Sequence, residues 1–329
     1  MKDTFIRPRV VLGRHPIETT RYLLATPIID DFYDAVCRWI DNRSPGGMIH
    51  GRPRFGKTRA ISYLTQVLPE RFGKKMPIIS LPCRDYRAAS ERAFFEDLLR
   101  AAGHAFVKSG SASARRDRLR EFLYEKVEAS RQDRLILFID EAQKLHEHQY
   151  KWLMDLHNEL DQLNVSLVVL LVGQDELLHQ YSAFTLANKA QIIGRFMVHQ
   201  LAFRGLRTAE EIAVCLNGYD EDSEYPRKSG WSFTRYFYPA AFSDGWRLAH
   251  HANDLWQAFL IIREEQGIPG DMEIPMQYFC RTVEYVLRHY GTLDDVRLPI
   301  SIEIWKEAID CSGYVDAERY VVAGLERSE

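Results

Sequence analysis

The chain has 329 residues, of which 46% are hydrophobic and 27% charged, and a net charge of −3. This is the ordinary globular range, with room for a large core and two domains. It excludes an overall basic field, so any contact with nucleic acid must come from a local patch or from several subunits in a ring. The longest apolar run, Leu167 to Val172, is far too short to span a membrane. Met1 to Arg9 is polar and lacks the apolar core of a signal peptide. The five cysteines, Cys37, Cys83, Cys215, Cys280 and Cys311, are odd in number and form no Cys-x-x-Cys pair. Buried thiols in a reducing cytoplasm are the expectation.

Residues 1–27 intersperse Arg7, Arg9, Arg14 and Arg21 with Pro8, Pro16 and Pro27, which predicts an extended arm rather than a core segment. Its arginines suit DNA, a neighbouring subunit or a solvated tail. Ile28, Ile29, Phe32, Ala35, Val36, Trp39 and Ile40 have helical spacing over 28–41. Pro45, Gly46 and Gly47 then break the helix. A short strand, 47–50, feeds the stretch Gly51-Arg-Pro-Arg-Phe-Gly-Lys-Thr58.

That stretch fits the P-loop pattern G-x-x-x-x-G-K-[ST] at every fixed position. Phosphate oxygens need inward-turned backbone N–H groups, and glycines at Gly51 and Gly56 permit that curl. The following helix points its N-terminus at the same phosphates. Lys57 should reach the β- and γ-phosphates, and the Thr58 hydroxyl should bind Mg²⁺. The residues expected around the nucleotide are Gly51, Arg52, Pro53, Arg54, Phe55, Gly56, Lys57, Thr58 and Arg59. An ordinary glycine-rich turn before a helix is the plainer alternative for this stretch taken alone.

The P-loop helix should end near Pro69, and 76–81 is a second candidate strand. Residues 90–102 read as an amphipathic helix with Phe94, Phe95, Leu98 and Leu99 inward and Gly103 as its stop. A Ser/Gly/Ala loop follows, then Arg115, Arg116, Arg118 and Arg120, the densest basic cluster in the chain. It is either a solvated helix face or a nucleic-acid patch. Leu135 to Ile139 suits a strand buried on both faces, with Asp140 and Glu141 at its C-terminal end. Asp140 would hold Mg²⁺ with Thr58, and Glu141 would polarise the attacking water. An acidic helix N-cap is the alternative for that pair alone; beside the P-loop, the pair points to a Mg²⁺-dependent ATPase using ATP.

A helix over 147–162 and a buried strand over 165–172 follow. His146-Glu147-His148 reads as a solvated face rather than a metal site, because these positions diverge on a helix. Gln174 is placed to approach the γ-phosphate or to cap its loop. Arg195 is a candidate arginine finger or a surface salt bridge. A short strand over 197–203 precedes a mostly helical region. There Thr208 and Glu211 have capping-box spacing, and residues 219–243 carry Trp231, Phe233, Tyr236, Phe237 and Tyr238 as a partner surface or a local core. Further helices are expected after Gly245-Trp246-Arg247, over 274–287 and over 300–309.

This order of motifs resembles the AAA+ ATPases over roughly residues 28–265. The resemblance implies an α/β fold, a P-loop αβα sandwich with a parallel sheet and a C-terminal helical lid domain. It implies an arm over 1–27, a nucleotide-binding domain over 28–206 and a lid over 207–329. By position, Gln174 resembles sensor 1, Arg195 the arginine finger and Arg247 sensor 2, the last also near the nucleotide. The strings Phe138-Ile-Asp-Glu-Ala-Gln143 and Leu170-Leu-Val-Gly-Gln-Asp-Glu-Leu177 look like the branch of the transposition regulators TnsC and TniB and the ExeA-like secretion ATPases. The size and the arginine-bearing arm look most like a TnsC of a CRISPR-associated transposon. That resemblance implies a homo-oligomer, as a hexameric or heptameric ring or a helical filament, on double-stranded DNA. It further implies a TnsA/TnsB-like transposase and a TniQ-like target selector as partners, with no membrane. Rival readings are a remodelling or secretion ATPase that does not bind DNA, and a STAND-type signalling switch.

Overall fold

The computed structural model describes residues 7–291 and 300–325. Sequence expectations that extend over 1–6, 292–299 and 326–329 lie outside the described residues. The chain divides into two compact units, one of 31–53 with 57–203, the other of 1–30 with 54–56 and 204–329. No helix among the described residues is long and apolar enough to cross a membrane.

The first unit is built on a parallel sheet of β1 Gly46–His50, β2 Ile78–Pro82, β3 Arg134–Asp140, β4 Ser166–Gly173 and β5 Gln200–Ala202. Their order across the sheet is β2-β3-β4-β1-β5. β3 and β4 are central and buried almost throughout, which is why they read as unbroken apolar runs. From β1 the chain departs towards β2, and from β4 it departs towards β5. The β1/β4 border is therefore a topological switch point, where parallel sheets open a crevice at the C-terminal strand ends. Register places Asp140 beside Val172, Ile49 also beside Val172, and His50 beside Gly173. The last residues of β1, β3 and β4 thus form one edge.

Helices cover this αβα unit through faces that the sequence makes apolar. In Glu91–Ala102, Phe94, Phe95, Leu98 and Leu99 are buried. Ser90 caps its start by accepting from Ala93 N–H, and Gly103 closes it with φ of 82°. The P-loop helix runs Lys57–Phe72, past the end expected at Pro69. A proline in the last turn forfeits only one backbone donor, and Gly73 N–H still closes on Pro69 O at 3.0 Å.

The second unit is helical, with Ala209–Asn217, Ala252–Glu265, Met276–Tyr290, Ile302–Ser312 and Tyr314–Leu325 around Phe259, Phe279, Trp305 and Tyr314. Thr208 caps the first of these through Glu211 N–H. Residues 219–243 provide a local core here, since Tyr219, Phe233, Tyr236 and Phe237 are buried in it. The arm departs from the sequence reading. Its residues 16–19 form a helix, and His15 and Ile17 are buried with the aromatic cluster. The His15 ring stacks on Tyr236 at 4.4 Å and meets Tyr225, Phe233 and Phe237 edge-on. Tyr22 hydroxyl donates to Glu284 at 2.8 Å. Prolines and charges suggested an exposed arm; the few apolar side chains among them dictate the docking.

Candidate nucleotide site

The edge at the ends of β1, β3 and β4 gathers residues distant in sequence. Lys57 opens its helix and is only 7% exposed. Its ammonium donates to Gly51 O at 2.5 Å and Arg52 O at 2.8 Å. It thus sits inside the loop's own curl, where phosphate oxygens would replace those carbonyls as acceptors. Gly56 has φ of 100°, a conformation that costs an L side chain strain and that opens the curl. Arg54 shares a positive φ of 71°. It belongs with Gly56 to the helical unit, where Arg54 O accepts from Gln277 N–H at 3.1 Å. Phe55 is buried. Pro53 and Arg59 are exposed and Arg52 half-buried.

Thr58 hydroxyl donates to Asp140 Oδ2 at 2.7 Å. The other oxygen of Asp140 accepts from Glu141 N–H at 3.0 Å. Burial pushes the Asp140 carboxyl above its usual range, against the pull of Thr58 and of the Glu141 N–H. Burial likewise pushes Lys57 down, while Asp175, Glu141 and Asp140 pull it back up. A hydroxyl and a desolvated carboxylate held together at the mouth of an amide-lined curl are a donor set suited to Mg²⁺ on a phosphate chain.

Glu141 follows with φ of 57°, in the left-handed region. Its Oε2 accepts from Gln143 Nε2 at 3.0 Å and pairs with Lys144 at 3.2 Å. Burial raises this carboxyl, but Lys144, Gln143 and Gln174 outweigh it and hold the group below its ordinary value. Gln174 is half-buried, and its backbone N–H donates to Gln143 Oε1 at 3.2 Å. Four residues here have no role in the sequence reading: Gln143 and Asp175, which lie within the two strings quoted above, and Lys144 and His50, which lie in neither. His50 Nδ1 and Asp175 Oδ1 lie 2.8 Å apart, and the bond with His50 lowers the Asp175 carboxyl. Their separation of 125 positions is bridged only by the pairing of β1 with β4.

Two further candidates have partners of their own. Arg195, on the helix Ala190–Phe196, donates to Met154 O at 3.3 Å and lies 3.4 Å from His157 Nδ1. Arg247 lies in the helical unit, where it donates to Glu221 at 3.0 Å and its guanidinium covers the Phe242 ring at 3.6 Å.

The arginine cluster needs correction as a phosphate-facing patch. Its residues sit in the first turns of the helix Ala112–Ser130. Arg115 is 1% exposed, bound to Glu96 at 2.9 Å, to Arg92 O at 3.2 Å and to Lys108 O. Arg116 faces Glu91, Asp155 and Glu159 within 4.0 Å. Arg120 faces Asp117, Glu121 and Glu159. Arg118 donates to Phe106 O and Ser109 O. Arg115 and Arg116 are paired with acidic residues remote in sequence, Arg120 with near neighbours and Glu159, and Arg115 is an interior strut.

Residues 41–181, which contain the P-loop and the Asp140-Glu141 strand, match the family described as "AAA domain". Such a domain is a nucleotide-hydrolysing P-loop ATPase, and the parallel sheet with its flanking helices is an AAA+ fold. No curated protein matches the chain. Among solved structures, the chain is similar to the ORC2 protein of Aeropyrum pernix in its ADP form, at 15% identity over 91% of this chain and 73% of that one, TM-score 0.44. It is similar to Cdc6p of Pyrobaculum aerophilum at 15% identity, covering 89% of this chain and 82% of that one, TM-score 0.43. The ORC1 protein of Aeropyrum pernix, solved in complex with DNA, is similar at 14% identity over 91% of this chain and 82% of that one, TM-score 0.41.

Proposed function

We propose that the chain is a Mg²⁺-dependent AAA+ ATPase that assembles on double-stranded DNA and relays target-site choice to a transposase. The observation that carries the ATPase part is the Thr58–Asp140 hydrogen bond beside a Lys57 buried in the P-loop curl. Lys57 exchanges its two carbonyl acceptors for phosphate oxygens. Thr58 and Asp140 would hold Mg²⁺, which would supply positive charge to the phosphates. Glu141 accepts a proton from the attacking water. The transposition part is supported by the strings Phe138–Gln143 and Leu170–Leu177, which look like those of the TnsC and TniB regulators. In this reading Arg195 acts on a neighbour's site, Arg247 on the nucleotide of its own chain, and a TniQ-like selector and a TnsA/TnsB-like transposase are the partners.

The neutralised arginines on the helix Ala112–Ser130 favour a second reading, an AAA+ remodelling enzyme that does not bind DNA. Negative-stain imaging with duplex DNA and a non-hydrolysable ATP analogue separates the two. DNA-bound rings or filaments that need the nucleotide and dissolve as salt rises support the first. Failure to bind DNA at low salt with nucleotide present overturns it in favour of the second.

A further inference from the structure

The residue after the Asp140-Glu141 pair's alanine is Gln143, and its side chain spans two strand ends. Its amide nitrogen donates to Glu141 Oε2 at 3.0 Å, and its amide oxygen accepts from Gln174 N–H at 3.2 Å. A carboxamide supplies the donor and the acceptor at these two points without carrying a charge or needing a proton, which an ionised carboxylate cannot do. The span exists because Gly173, the last residue of β4, has no side chain: a Cβ there would collide with Gln143 Oε1. The main chain of Gln143 is fixed as well. Its carbonyl accepts from Gln180 Nε2 at 2.8 Å, and Gln180 Oε1 accepts from the hydroxyl of fully buried Tyr150 at 2.8 Å. Glu141 itself is in a left-handed backbone conformation, φ 57°, that an L residue keeps only when its surroundings hold it there.

We infer that Gln143 is a positioning residue for hydrolysis: it sets the direction of the Glu141 carboxylate and ties it to the loop after β4, with Gly173 making room for the bridge. The inference rests on the ATPase reading above. The Gln143 side chain bonds Glu141 and the Gln174 main chain rather than Lys57, Thr58 or Asp140, so its loss should change turnover and leave nucleotide affinity alone. A carboxylate misplaced by about 1 Å costs on the order of tenfold or more in rate.

The test uses the full chain with Mg²⁺ and ATP, comparing Gln143→Glu, Gly173→Ala, Glu141→Gln and the double variant Glu141→Gln/Gln143→Glu. Gln143→Glu removes the donor and sets a second carboxylate beside Glu141; Gly173→Ala displaces the bridge while keeping the amide. Each should lower kcat about tenfold or more with KM for ATP within about twofold. In single turnover the double variant should be no slower than Glu141→Gln, because one function is removed twice. A merely structural role would instead subtract its full factor from either background. Parent-like kcat in both Gln143→Glu and Gly173→Ala, or full additivity in the double variant, overturns the inference. If Glu141→Gln itself hydrolyses ATP at the parent rate, the base assignment fails, and this inference with it.

Discussion

At Lys57 the chemistry depends on where one ammonium points. It is desolvated and donates to two carbonyls of its own loop, Gly51 O and Arg52 O. Replacing Lys57 by alanine removes the main counter-charge for a phosphate cluster in a site of low polarity. Binding of a fluorescent ATP analogue should fall at least a hundredfold, while far-UV circular dichroism stays unchanged. Unaltered affinity would refute the P-loop assignment. Thr58 and Asp140 show the same dependence on a single atom: without the Thr58 hydroxyl, the buried Asp140 oxygen loses a donor that offsets its desolvation.

Elements explain what single residues do not, and two of them were read differently from sequence. The helix Ala112–Ser130 looked like a basic rod, but packing against Glu91–Ala102 places Glu96 against Arg115. Glu96 keeps Arg100 if Arg115 is lost, but the carbonyls of Arg92 and Lys108 lose the Arg115 donor and a buried side chain is emptied from the packing. Arg115→Ala should therefore lower unfolding free energy by about 3 kcal/mol in urea titrations. Arg118, which is part-exposed and bound only to carbonyls, should cost less than about 1 kcal/mol when replaced by alanine. Equal effects at the two positions would contradict the strut role. The segment 7–26 gives a pH prediction. Burial, then the Arg7 charge, lowers the His15 imidazole from 6.5 to about 4. A folded-state value below the unfolded one contributes stability above pH 6.5 that is lost as pH falls towards about 4. The stability gap between the parent and His15→Asn should shrink by on the order of 2 kcal/mol between pH 7.5 and pH 5. The asparagine amide oxygen supplies an acceptor for Ile17 N–H in place of His15 Nδ1, so the cap is kept while the titrating group is removed. A gap independent of pH would show that His15 is not held neutral by its aromatic surroundings.

For the whole molecule, the question is whether one chain completes its own site. Arg195 is bound to a carbonyl and a histidine of its own unit. If it serves a neighbour, Arg195→Ala alone should be slow, and so should Lys57→Ala alone. Mixed oligomers should recover ATPase activity, because the Lys57 variant lends its arginine to a partner with an intact P-loop. No recovery at any mixing ratio, with mixed assembly verified by two distinct tags, rules out the trans role. Glu141→Gln, which keeps shape but removes the base, should bind ATP as the parent does and hydrolyse it at least a hundredfold more slowly. Nucleotide-dependent assemblies of this variant should persist over hours in light scattering where those of the parent decay.

The sequence by itself determined the P-loop, the Asp140-Glu141 strand and the parallel core. Each is carried by local spacing: glycines five positions apart, a lysine and a hydroxyl in succession, apolar runs long enough to be buried on both faces. Caps such as Ser90, Gly103 and Thr208 were legible for the same reason, since a helix end is satisfied by residues within a few positions of it. Tertiary structure alone decided the rest. The pairing of β1 with β4 brings His50 to Asp175, and the absent side chain of Gly173 lets Gln143 join Glu141 to Gln174. Charge in sequence does not reveal its partner, so Arg115 read as surface although it is buried against Glu96 and the carbonyls of Arg92 and Lys108. The arm misled in the same way. A few buried side chains among many polar ones outweigh composition, because docking depends on the apolar area that finds a complementary surface, and that surface is formed by residues more than two hundred positions away.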